Sequence, residues 1–211
     1  GFYQQALTLI EARISFLLVE QWHVFKVNDK YNISEENNTV YYDIRDGKEP
    51  VTLNELFNAY VYKIIKPKRF RKSDQDILFV QPDDFYTLFS DYTGENDNYL
   101  STKDFYKEMY DLNDIPQNTD FKSVLSTASR YAQLPKKRSA SDCIVLSPEL
   151  TIDEDLLLAI LILHKALKEV RNDMNHASAG FTHNLDSISV VLRHYIKWIE
   201  EIGKSINPKE K

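Results

Sequence analysis

The sequence predicts an all-α, mainly helical fold: a bundle with an irregular middle and one short β-hairpin. Three observations lead there. Apolar residues recur at the helical period near both ends of the chain, over 3–22 and 151–206. Two apolar runs are preceded by Thr with Glu three positions later, the pattern of a capping box. Glycine is scarce, 5 in 211 residues, and proline modest at 7, too few for the many tight turns of a β-sandwich.

Residues 3–22 form the first predicted helix: Ala6, Leu7, Ile10, Ile14, Leu17 and Leu18 make its stripe, and Glu11, Arg13 and Glu20 fall off it. "HVFKVN" and "TVYYDI" are β-type runs that fit a hairpin across the polar "DKYNISEENN". "TLNELFNAYVYKIIKP" is a helix capped by Thr52 and Glu55 and stopped by Pro67. "QPDDFYTLFSDYTG" reads as a short helix ended by Gly94, and "LSTKDFYKEMYDL" as another opened by Ser101 or Thr102. "NTDFKSVLSTASRYAQLP" has helical spacing, and "PKKRSASD" is a loop. The acidic stretches "SEENN" and "SDYTGENDN" read as solvated loops.

Two long helices close the chain. Thr151 and Glu154 cap the first, which runs through Leu156 to Leu163 and on to about residue 177, with Gly180 as its C-cap. The second covers about 182–206, with Leu185, Ile188, Val191, Leu192, Tyr195, Ile199 and Ile202 as its stripe. The apolar run is far shorter than the ~20 residues a bilayer needs, so no membrane is expected. Cys143, the one cysteine, allows neither an intrachain disulfide nor a Cys-based zinc site, which fits a cytoplasmic protein. No cofactor and no metal site is expected. The net charge of −6 argues against a surface coated for nucleic acid, though it leaves room for a local basic groove.

The densest polar chemistry lies at the end of the apolar helix, in Arg171-Asn172-Asp173-Met174-Asn175-His176. Histidine exchanges protons near neutral pH, and arginine keeps its charge and forks onto phosphate. With no carboxylate cage, such a set suits metal-free RNA cleavage through the 2′-hydroxyl: His176 moves a proton, Arg171 stabilises phosphoryl charge and Asn172 orients. Five residues along a helix turn Arg171 about 140° from His176, so one straight helix does not present them side by side. A second copy about a two-fold axis would, with the apolar run, Tyr195 and Trp198 as candidates for its buried surface. The plainer reading is that these polar groups only finish a buried helix, since basic side chains favour that end of the dipole.

Arg171, Asn172 and His176 match the R-N-x-x-x-H motif of HEPN ribonucleases. "VRNDMNHASAG" resembles the HEPN domains of CRISPR-associated type III accessory ribonucleases, and "FYQQALTLIEARI" is similar to their first helix. The resemblance covers residues 1–22 and 150–205. It implies a single HEPN-like domain over 1–211, with 28–150 as an insertion, cutting single-stranded RNA at a composite homodimer site in prokaryotic antiviral defence. It also implies an upstream CARF domain that binds cyclic oligoadenylate. The opening Gly and immediate helical pattern predict a piece of a longer chain.

Further candidates are weaker. Asn175, four from Arg171, is placed to hold it or line the cleft. Lys68, Arg69, Lys136, Lys137 and Arg138 are candidate RNA contacts, against a plain reading as a solvated face and loop. Tyr60, Tyr62, Phe70 and Tyr131 are placed to stack on bases, though core packing is the safer assignment. His164 reads as a core or interface histidine, and His183 and His194 share one helix. Two other functions stay open: a catalytically silent HEPN module that binds RNA or a partner protein, and a HEPN toxin paired with an antitoxin.

Overall fold

A computed structural model describes residues 2–28, 32–43, 49–66, 77, 78, 80, 85–113, 143–149, 151–176 and 184–206. Among these the chain is mainly helical, with small two- and three-stranded sheets. Helix α1 is Phe2–Phe16, extended by a wide turn, Leu17–Gln21, in which Trp22 N–H reaches the Leu17 carbonyl. Then come β1 (Phe25–Val27), β2 (Asn32–Glu36), β3 (Thr39–Asp43), β4 (Val51–Thr52), α2 (Leu53–Ile64), β5 (Ile65–Lys66) and β6 (Ile77–Leu78). Helices α3 (Phe85–Phe89) and α4 (Thr102–Asn113), strand β7 (Ile144–Leu146), and helices α5 (Glu154–Asn175) and α6 (Leu185–Ile206) complete the order.

Helix α5 is the axis of the bundle. Every residue from Leu156 to Leu167 is buried, and α1, α2, α4 and α6 pack around it. A helix apolar on all sides is stable only when wrapped in this way. The run Leu156 to Leu163 therefore faces its own chain and not a second copy. The same correction applies to Tyr195 and Trp198, both buried on α6. Within the α6 stripe Leu185 is the exception, lying exposed at the first turn. Further along, Gly203 lets the Trp22 ring lie on the helix: a Cβ there would sit 2.9 Å from a ring carbon.

The caps agree with the sequence at α2 and differ at α5. Thr52 accepts from Glu55 N–H while Glu55 Oε2 accepts from Thr52 N–H, a complete capping box. Ser101 caps α4 by accepting from Asp104 N–H. At α5 the cap is Asp153, whose Oδ1 accepts from Leu156 N–H at 3.0 Å, and not Thr151. Helix α3 ends at Phe89, ahead of Gly94, whose φ of +68° serves the following turn instead.

The hairpin is a different one from that expected. "SEENN" is strand and turn: β2 pairs with β3, from Asn32 opposite Asp43 to Glu36 opposite Thr39. Asn37 and Asn38 turn it with φ of 52° and 60°, the two positive angles of the favoured two-residue hairpin loop. "HVFKVN" supplies β1, whose antiparallel partner is β7, with Phe25 opposite Leu146 and Val27 opposite Ile144. The expected helix over "NTDFKSVLSTASRYAQLP", the "PKKRSASD" loop, Pro67 and Gly180 lie outside the described residues.

Candidate functional site at the end of the central helix

Helix α5 closes on His176, the C-cap residue, whose backbone N–H reaches the Asn172 carbonyl at 3.0 Å. Its imidazole is exposed and has no hydrogen-bond partner among the described residues. Arg171, one turn earlier, is half-buried and held from two sides. Its Nη2 donates to Asn172 Oδ1 at 2.7 Å, and its Nη1 lies 2.7 Å from Glu11 Oε2 on α1. The second contact is an ion pair without good hydrogen-bond alignment: Glu11 Oε2 and Arg171 Nε are buried and lack a hydrogen bond among the described residues.

Glu11 is the residue the sequence reading placed on the polar face. It is 6% exposed. A carboxylate so buried is costly unless cations and donors match it. Oε1 accepts from Lys168 Nζ at 3.0 Å and from Asn58 Nδ2 at 3.2 Å. Asn58 Nδ2 also faces Asn54 Oδ1, so Asn58 Oδ1 is left to accept from His164 Nε2 at 3.1 Å. That makes His164 the Nε2–H tautomer, and its Nδ1 accepts from the Tyr195 hydroxyl at 2.9 Å. Burial, with the cations of Lys168 and Arg171 adding to it, pushes His164 down to about 3, so it is neutral. One chain of hydrogen bonds thus runs Tyr195, His164, Asn58, Glu11 across α6, α5, α2 and α1, and the ion pair extends it to Arg171.

The neighbouring face of α5 is also polar. Lys165 is buried with its ammonium 3.6 Å from the centre of the Tyr62 ring, a cation–π contact. The Tyr62 hydroxyl donates to Glu169 Oε1, and burial together with that carboxylate raises its pKa. Tyr62 is therefore half-exposed and occupied by lysine, while Tyr60 is a core residue.

No family model, curated protein or solved structure matches this chain.

The structure joins Arg171 to Asn172 by a hydrogen bond, while the His176 side chain bonds to neither among the described residues. Asn175 does not hold Arg171: its Oδ1 accepts from Gln4 Nε2 on α1. His164 is a core histidine. So is His194, whose Nδ1 donates to the Val190 carbonyl and whose Nε2 accepts from Leu100 N–H. Lys68, Arg69, Lys136, Lys137, Arg138, Phe70, Tyr131 and His183 lie outside the described residues. Among the described residues no three His, Cys, Asp or Glu gather in a metal-holding group, and no helix is long and apolar enough to cross a membrane. A signal for Glu11 was present: Leu7, Glu11, Ile14 and Leu18 step by four, three and four, so Glu11 occupies a core position of α1.

Proposed function

We propose that the chain is a HEPN-type endoribonuclease that cuts single-stranded RNA without metal, as a homodimer, in CRISPR-linked antiviral defence. In the full-length protein a separate sensor domain would bind cyclic oligoadenylate. The observation that carries the reading is the end of α5: an exposed His176 at the cap, unpartnered among the described residues, with Arg171 and Asn172 joined one turn before it.

The chemistry follows from those groups. The 2′-hydroxyl attacks the adjacent phosphorus and gives up its proton, and the P–O5′ bond breaks, leaving a 2′,3′-cyclic phosphate and a 5′-hydroxyl. His176 moves the proton, and Arg171 stabilises negative charge on the phosphoryl oxygens. Two copies about a two-fold axis supply one histidine to take the proton and one to return it to O5′. In EDTA the protein is expected to cut RNA into cyclic-phosphate products, and His176→Ala is expected not to. Strict need for a divalent metal, or equal cutting of DNA, would sink the reading.

The Glu11 contact favours a second reading, a binding module without catalysis in which Arg171 fastens α1 to α5. On that reading His176→Ala changes nothing.

A further inference from the structure

We infer that Glu11 is the positioning residue for the Arg171 guanidinium. The inference rests on the ribonuclease reading and adds a residue to it. An arginine on the last turns of a helix is ordinarily a flexible cation. Here its two Nη nitrogens are held from different directions, Nη1 by Glu11 on α1 and Nη2 by Asn172 on α5. Each Nη carries two N–H groups; Nη2 commits one to Asn172 and Nη1 meets Glu11 as an ion pair, so both nitrogens keep an N–H group to offer a phosphoryl oxygen. The buried Nε has no acceptor among the described residues, so none of them adds a further hold.

Glu11 is itself immobile. One oxygen is committed to Lys168 and Asn58, and Asn58 is fixed in turn by His164 and Tyr195. The other oxygen is left for Arg171. A clamp of this kind removes the reorganisation that a free guanidinium would need as charge develops on the phosphate. It also keeps a negative charge beside Arg171, which weakens ground-state attraction for the RNA backbone. Positioning and affinity therefore pull in opposite directions, and a merely structural role would not separate them.

The test is a comparison of Glu11→Gln and Glu11→Asp with the wild type, each checked for folding by circular dichroism. Glu11→Gln keeps the shape and loses the charge. We expect kcat for RNA cleavage to fall at least about 10-fold while KM is unchanged or lower. Glu11→Asp should recover a measurable part of kcat. A folded Glu11→Gln protein with wild-type kcat, a higher KM as the whole effect, or an Asp variant no better than Gln would overturn the inference. If the wild type cuts no RNA, the ribonuclease reading fails by itself, and Arg171 is read directly. Its Nη protons should be resolved by NMR in the wild type, where rotation of the guanidinium is hindered, and averaged in Glu11→Gln. Identical Nη spectra would refute the clamp.

Discussion

Arg171 and His176 are only five residues apart, yet their loss removes different things. The His176 side chain is exposed and unpartnered among the described residues, so His176→Ala should unfold at the wild-type urea midpoint and, on the proposed ribonuclease reading, cleave RNA at least on the order of 10²-fold more slowly. Arg171→Ala should lose as much activity and also stability, up to about 3 kcal/mol, because a buried Glu11 then keeps only Lys168 and Asn58. Equal midpoints for the two variants would contradict the ion pair. His164 is the residue for a pH test. Its folded pKa of about 3 lies below the ordinary 6.5, so the fold favours the neutral ring. That contribution is complete above pH 6.5 and is lost as pH falls towards 3, at up to about 1.4 kcal/mol per pH unit. His194, lowered by burial, acts in the same sense. Denaturant titrations between pH 7 and 5 should show a shallower loss in His164→Gln than in the wild type, and parallel slopes would show that folding does not lower the pKa of His164.

At the scale of elements, the caps decide where helices begin. Thr151 and Asp153 both precede the apolar run, and Thr151 with Glu154 has the better sequence pattern. The chain nevertheless enters the helix at Asp153, whose carboxylate meets Leu156 N–H and the positive end of the α5 dipole. Asp153→Ala should cost about 1 kcal/mol and Thr151→Ala only a few tenths, read from equilibrium unfolding. The reverse order would restore the capping box at Thr151. The hairpin makes a similar point. Asn37-Asn38 permits the turn of β2–β3 locally. The pairing of β1 with β7 joins segments more than a hundred residues apart, and nothing near "HVFKVN" announces it.

For the whole molecule, the question is what a second copy touches. The apolar run of α5, with Tyr195 and Trp198, is enclosed by the chain's own helices, so association cannot draw on it. Ile160→Ala should therefore destabilise the fold by roughly 2–5 kcal/mol and leave the dissociation constant of the proposed dimer unchanged in sedimentation equilibrium. A weakened dimer in a still-folded Ile160→Ala protein would put α5 at the interface after all. The composite site requires the wild type to sediment as a dimer. A strict monomer that cleaves RNA at full rate would rule out a shared site.

The sequence by itself determined the helical class and the spans of α1, α2, α4, α5 and α6 to within a few residues. These follow from local period and caps, which act over a few turns of chain. It also marked Arg171, Asn172 and His176 as the polar end of α5. Only the tertiary structure decided what those groups face. Glu11 looked like a surface acid because its charge outweighed its position in the Leu7, Ile14, Leu18 stripe. It is a buried one because Lys168, Arg171 and Asn58 converge on it from α5 and α2. Asn175 looked like a support for Arg171 and instead meets Gln4. Contacts of this kind join residues 47 to 171 positions apart. Local periodicity carries no record of them, since they exist only once the apolar faces have fixed which helices are neighbours.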